Sequence, residues 1–203
     1  MAKIALIGAS GNAGARILKE LSDRGHTVTG IARHPEKIAA LPGVTAVAGD
    51  VFDVEGLAAI LKGHDAVVSS VHFLASDPDK LIAAVRASGV TRYLVVGGAG
   101  SLEVAPGKRL VDQPDFPAAY HAEASKGAEF LDILRGIDDL DWTFLSPAAM
   151  FVPGERTGTF RLGTDQLLVG EGGSSISFED YAVALVDEIE TPKHIRRRFT
   201  VGY

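Results

Sequence analysis

The run Gly8-Ala9-Ser10-Gly11-Asn12-Ala13-Gly14 is the stretch of this chain best suited to holding a ligand. It follows an apolar segment, Lys3–Gly8, that reads as a strand, and it opens a helical pattern over Asn12–Arg24. In that context the first glycine permits a tight turn and the second lets bare backbone approach an anion. The third lets the helix pack close to the strand. Amides at the helix N-terminus then face the anion, reinforced by the helix dipole. The spacing is G-x-x-G-x-x-G and no Gly-Lys-Ser/Thr follows, which suits the paired phosphates of a dinucleotide better than a mononucleotide P-loop.

A second strand, Thr27–Ala32, leads into Arg33 and His34. Chains that select NAD place an acidic residue here for the ribose hydroxyls. Arg33 cannot accept hydrogen bonds from hydroxyls, but its planar fork can pair with a 2′-phosphate and stack on adenine. NADP(H) is therefore the preferred cofactor, with NAD(H) as the alternative. Asp50, in Gly49-Asp50-Val51 after a third strand, is placed to accept from the adenine amino group.

The elements that must position these residues alternate between strands and helices. Further strands are expected at Val44–Ala48, Asp65–Val71, Arg92–Val96, Asp141–Leu145 and Arg197–Val201. Several are continuously apolar, as strands covered on both faces must be. A helix from Asp77-Pro78 to Gly89 has a capping residue, a proline at its first position and a terminating glycine. The last helix starts at Ser177-Phe178-Glu179-Asp180, a capping-box pattern with Asp in place of Glu or Gln. The pattern predicts an α/β fold with a Rossmann-type doubly wound parallel sheet. Residues 1–203 form one dinucleotide-binding domain, in which 148–175 make a small C-terminal substrate lobe. Two irregular regions, 98–117 and 147–173, are longer than simple connections require. Within the second, Thr159–Arg161 and Gln166–Val169 are expected to form a hairpin.

The chain has 203 residues, 46% of them hydrophobic and 23% charged, which excludes a disordered or fibrous class. A net charge of −6 offers no footprint for nucleic acid. The basic run Arg196-Arg197-Arg198 reads as a strand end. There is no cysteine, so disulfides, thiolate metal sites and cysteine nucleophiles are ruled out. No apolar run approaches the ~20 residues of a membrane span. The N-terminal segment enters a strand directly and lacks a signal-peptide pattern, so a cytoplasmic protein is expected.

Taken together the chain resembles an atypical short-chain dehydrogenase/reductase of the NAD(P)-binding, NmrA-like kind, often grouped with NADH-flavin reductases. The residues that carry the resemblance are the Gly8–Gly14 loop, Arg33, Gly49-Asp50-Val51, Val95–Leu102, Asp141–Pro147, Pro153–Gly158 and Ile176–Ala182. It implies that pyrophosphate sits on Ser10, Gly11, Asn12 and Ala13, the 2′-phosphate on Arg33, and adenine near Asp50 and Val51. The nicotinamide ribose would lie against Ser69, Ser70, Val71 and His72, with Gly97 and Gly98 close by. Pro147 and Ala148 would meet the nicotinamide. The substrate would lie over that ring, roofed by the two irregular regions. From their own positions Met150 and Phe151 are expected to line it and His72 and His121 to contact it, while Arg156 is expected either to meet an anionic substrate or to pair with a neighbouring carboxylate.

Ordinary members of this superfamily use Tyr-x-x-x-Lys on one helix. Four residues advance about 400°, leaving the side chains only ~40° apart. Here Tyr120 and Lys126 stand six positions apart, about 600°, which is ~120° around a helix. Ala122 occupies the position four before Lys126. The remaining catalytic candidates are Tyr120, donating from the loop before the helix, and Lys126, binding ribose hydroxyls. An unactivated ketone needs a positioned acid, whereas a conjugated flavin or quinone depends on one much less. The expected activity is thus NAD(P)H-dependent hydride transfer to a small conjugated acceptor. The alternative is a non-catalytic NADP(H)-binding redox sensor. A sugar-nucleotide epimerase is disfavoured by the few residues after Leu145. The histidines form no metal constellation, and no Gly-x-Ser-x-Gly elbow occurs. Expected partners are the small-molecule acceptor and, at most, a second copy, as a monomer or homodimer, with neither nucleic acid nor membrane.

Overall fold

In the computed structural model, which describes residues 1–203, the chain starts β1 (Lys3–Ile7), α1 (Asn12–Asp23), β2 (Thr27–Ala32), β3 (Val44–Ala48), α2 (Val54–Leu61) and β4 (Ala66–Ser69). It continues α3 (Pro78–Ser88), β5 (Arg92–Val96), β6 (Glu103–Ala105), β7 (Lys108–Arg109), α4 (Ala118–Arg135) and β8 (Asp141–Pro147). The last elements are β9 (Met150–Val152), β10 (Arg161–Gly163), β11 (Ser175–Ser177), α5 (Phe178–Glu190) and β12 (Arg197–Gly202). Seven strands form a parallel sheet in the order β3-β2-β1-β4-β5-β8-β12, with β10 antiparallel on the β12 edge. This is the Rossmann-like doubly wound arrangement the sequence pattern predicts.

Period-two alternation distributes β1 between two cores. Ile4 and Leu6 pack with Ile17, Leu18 and Leu21 of α1 and with Tyr181 and Leu185 of α5. Ala5 and Ile7 point the other way, joining the cluster built by Leu57, Leu81, Val85, Phe130 and Leu134 of α2, α3 and α4. The chain order reverses between β1 and β4, and connections leave in opposite directions there, opening a crevice at the carboxyl ends of the strands. Register sets its level: Ile7 stands opposite Ile31 on one side and Ser69 on the other.

Local rules account for most helix ends. Asp77 accepts from the amides of Asp79 and Lys80, and Gly89 closes α3 at φ +80°. Ser177 Oγ accepts from the Asp180 amide at 2.9 Å, but the reciprocal half of the expected capping box is missing. The Asp180 carboxylate accepts instead from Thr157 Oγ1 (2.6 Å), the Gly158 amide (2.8 Å) and the Tyr203 hydroxyl (2.8 Å). It thereby ties the 148–175 region to α5 and to the C-terminus.

That region departs from the expected hairpin. Arg161–Gly163 pairs with β12, and Gln166 bridges to Glu103 of the 98–117 loop. β9 and β11 make a small parallel pair. A strand joins whichever edge leaves its amides unsatisfied, and β12 offered one. Buried ions fasten the same segments. Arg198, on β12, donates to Asp165 (2.6 Å) and to Ser101 Oγ (3.1 Å), joining both irregular regions. Arg156 forks onto Glu20 of α1 through two 2.7 Å bonds, and Arg24 Nε adds a third at 2.8 Å. Of the two expectations for Arg156, the pairing with a carboxylate is what the structure shows, and the substrate contact is overturned because the nearly buried Glu20 already holds its guanidinium.

Two outcomes follow from this packing. A Cβ on Gly14 would lie 2.0 Å from the Gly8 carbonyl oxygen. Gly14→Val should therefore cost about 1–3 kcal/mol through overpacking, read as a lower urea midpoint, and an unchanged midpoint would contradict the close packing. The hydrogen bonds from Arg156, and secondarily those from Arg24, hold the Glu20 carboxyl below its ordinary value of 4.5. A lowered folded-state value means stabilisation that is complete above 4.5 and lost as pH falls through the folded value. The difference in melting temperature between wild type and Glu20→Gln should therefore be largest at neutral pH and shrink on acidification through that range.

Candidate functional site

The crevice at the β1/β4 reversal has a volume of about 610 Å³, within the ~300–1,000 Å³ usual for small-molecule sites. Its floor is the turn from Gly8 to Ala13. Gly8 sits at φ +82°, and a Cβ there would lie 2.0 Å from the Ser70 carbonyl oxygen, so the close approach of β1 and β4 demands glycine. Gly14 is demanded in the same way, packed beneath the turn rather than lining the crevice. Gly11 is different. Its backbone is extended (φ −75°, ψ 172°) and the nearest atom to a Cβ would be 3.3 Å away. That contact, with the Gly8 carbonyl oxygen, is tight but far milder than those at Gly8 and Gly14, and the absence of a side chain leaves main chain open to a ligand.

The helix that begins there has no side-chain cap. By contrast Asp53, Asp77 and Ser177 cap α2, α3 and α5. The Asn12 and Ala13 amides donate to no protein acceptor, and both residues line the crevice. Unpaired donors at the positive end of a helix are a site for phosphate oxygens. These residues fit a dinucleotide's pyrophosphate.

One end of the crevice is formed by Arg33, Asp50, Val51 and Phe52. Arg33 follows β2 and is exposed, with neither hydrogen bond nor ion pair. Asp50 Oδ1 accepts from the Phe52 amide at 2.9 Å, which shapes this turn. The other end lies under β4, β5 and β8, where Ser70, Val71, His72, Gly97, Gly98, Pro147, Ala148 and Phe151 line the walls as expected. A Cβ on Gly97 would lie 2.3 Å from the Phe144 ring. Tyr120 also faces this end, 68% exposed. It belongs to the first turn of α4, not to the preceding loop.

Phe73, Ala99, Glu123 and Phe178 also line the crevice and were not among the expected residues. Glu123 is the most consequential of them. Its carboxylate accepts from the amides of Phe73 (2.7 Å) and Leu74 (2.8 Å) and stands 3.3 Å from His72 Nδ1. It holds the turn after β4 against α4. The only sequence signal was helical spacing, since Glu123 falls one turn beyond Tyr120.

Several expected residues lie elsewhere. Ser69 is buried, its Oγ 2.9 Å from the Tyr93 hydroxyl. Lys126 bonds Glu129 at 2.7 Å and lines a separate cavity of about 330 Å³ behind Phe73, the consequence of its offset around α4. His121 packs edge-on against Phe116 at 6.0 Å and does not line the crevice. Met150 projects from β9 into solvent, while its neighbour Phe151 packs 4.5 Å from Phe178. Two buried tyrosines near the core are poor acids. Burial pushes the Tyr93 and Tyr181 hydroxyls well above their ordinary value, and Tyr181 donates to the Leu145 carbonyl at 2.7 Å.

No helix is long and apolar enough to cross a membrane. A family described as NAD(P)H-binding matches residues 8–192. The uncharacterized protein YwnB of Bacillus subtilis is 44% identical over 208 residues, 98% of this chain and 97% of that protein. A solved structure from Bacteroides thetaiotaomicron, named a "putative epimerase", is 42% identical with a TM-score of 0.94, covering 100% of this chain and 97% of that one. Another from Streptococcus pneumoniae, named a "putative NADH-flavin reductase", is 39% identical with a TM-score of 0.87, covering 100% and 99%. The matched span takes in the turn, the uncapped helix and both ends of the crevice, and the chain belongs to the NAD(P)H-binding family.

Proposed function

We propose that this protein is an NAD(P)H-dependent reductase, selective for NADP(H), that passes hydride to a small conjugated acceptor such as a flavin or quinone. The reading is carried by one observation: a single crevice runs from an unpaired Arg33, past an uncapped helix, to an apolar end formed by ring and alkyl side chains. The Asn12 and Ala13 amides are suited to pyrophosphate oxygens. Arg33 has the fork geometry for a 2′-phosphate, and Asp50 retains Oδ2 for an adenine amino group. Gly97, Gly98, Pro147 and Ala148 line this end with little side-chain bulk, which leaves room for rings to stack. When bound, the reduced nicotinamide supplies a hydride, two electrons with one proton.

A conjugated acceptor spreads the charge it gains over its ring and carbonyl oxygens, so water can provide the second proton. Lys126 is committed to Glu129, and Ala122 stands where an ordinary member of the superfamily carries its tyrosine. Catalysis then rests on alignment of two stacked rings. Glu123 contributes by fixing the turn that forms one wall.

Arg33→Ala should weaken NADP⁺ binding by about ten- to a hundredfold, the scale of a lost charge-assisted pair, while changing NAD⁺ binding little. Calorimetry with both nucleotides checks this, and equal loss for the two would remove the assignment of Arg33. NADPH oxidation should be seen with a flavin or quinone. Under those conditions Lys126→Ala should leave kcat and KM near wild type and Tyr120→Phe should lower kcat less than about threefold, since a positioned acid is worth ~100-fold or more. Loss of turnover in Tyr120→Phe would show that a side-chain acid is required. NADP⁺ binding without oxidation of NADPH by any acceptor would favour the redox-sensor reading instead.

A further inference from the structure

We infer that the acceptor is an uncharged conjugated carbonyl compound, an unphosphorylated flavin or a quinone, and that acceptors bearing a phosphate are disfavoured. This rests on the reductase reading above and narrows its substrate class. Arg33 is the only lysine or arginine in the crevice lining, and it belongs to the far end. The acceptor end is walled by Val71, Phe73, Val96, Pro147, Phe151 and Phe178, and its ionisable side chains are Tyr120, His72 and Glu123.

Cations close to this end are already committed. Arg16 lies 5.6 Å from the Phe178 ring centroid and pairs with Glu179 at 3.0 Å. Lys126 pairs with Glu129 in the adjoining cavity. Glu123 keeps a carboxylate, 31% exposed, whose strong partners are two backbone amides rather than a lysine or arginine. The amides of Gly98 and Ala99 also donate to no protein acceptor and can serve a carbonyl oxygen, but they open no helix and so lack the dipole that favours anions at Asn12 and Ala13.

A phosphate carries about −1.5 to −2 charges at neutral pH. At this end it would meet a carboxylate and apolar surface, in a chain whose net charge is −6. The dinucleotide's phosphates face the opposite conditions, with free helix amides and Arg33. The same crevice thus welcomes anions at one end and penalises them at the other.

Riboflavin and FMN share one ring system and differ by the phosphate, so their binding to the full-length protein saturated with NADP⁺, followed by quenching of flavin fluorescence, isolates that group. The expected result is a Kd for riboflavin about tenfold lower than for FMN, ~1.4 kcal/mol. 1,4-Naphthoquinone should displace riboflavin and 1,2-naphthoquinone-4-sulfonate should not. Ala149→Arg, which places a cation at an exposed lining position of this end, should narrow the riboflavin preference by roughly fivefold, the scale of one added surface ion pair. FMN binding as tightly as riboflavin, binding of neither flavin, or an unchanged ratio in Ala149→Arg each overturns the inference. Calorimetry with NADP⁺ alone separates the two readings. If NADP⁺ binds and FMN is preferred, the reductase proposal stands and this inference fails; if NADP⁺ does not bind, the reductase proposal fails whatever the flavins do.

Discussion

An α-helix that begins without a cap leaves donors unsatisfied, and at the start of α1 this protein leaves them facing a crevice. A side-chain cap contributes about 0.5–2 kcal/mol to a helix, and α2, α3 and α5 each have one. α1 forgoes it and is held instead by its buried face, where Ile17, Leu18 and Leu21 pack against β1 and α5. The positive end of the helix therefore stays available. The reversal of strand order between β1 and β4 gives it something to face, since only there do the connecting segments part. Gly8 makes the two compatible, because any side chain would collide with the Ser70 carbonyl.

Around this open end the protein uses buried charge as fastening. Glu20, Asp180, Glu188 and Arg198 are each nearly or fully buried, and each is met by several partners. Glu188 takes Arg92 at 3.1 Å and His194 Nδ1 at 2.8 Å, closing the turn into β12. Asp180 and Glu20 grip the segment from Arg156 to Gly158, while Arg198 draws Asp165 and Ser101 together. A buried ion pair adds little stability over a hydrophobic replacement, but removing one partner is costly, so such pairs are effective at holding one geometry. Here they hold the two irregular regions that frame the acceptor end, where regular hydrogen bonding could not.

The two ends of the crevice were unequally legible. Three glycines between a strand and a helix, and an arginine closing the next strand, are local facts, and those residues stand where local reasoning put them. Turns and caps depend on a few neighbouring dihedral angles, so their residue types carry the information. The acceptor end is assembled from segments far apart in the chain. Glu123 reaches amides 50 and 49 positions away, and nothing in its own helix distinguishes it from a solvated glutamate. His121 and Lys126 share that helix; the spacing already set Lys126 about 120° around from Tyr120, and the docking of α4 decided that the Tyr120 and Glu123 face meets the crevice.

The sequence by itself determined the alternation of elements, the parallel sheet, the turn at its centre and the kind of anion that turn can hold. These follow from periodicity and from backbone conformations that only glycine tolerates, both properties of short segments. The tertiary structure alone decided which edge captured β10, which carboxylate took Arg156 from 136 positions away, and which side chains surround the acceptor. Those outcomes depend on the satisfaction of buried polar groups across the whole packed chain, where each partner is chosen by what every other segment has left unpaired.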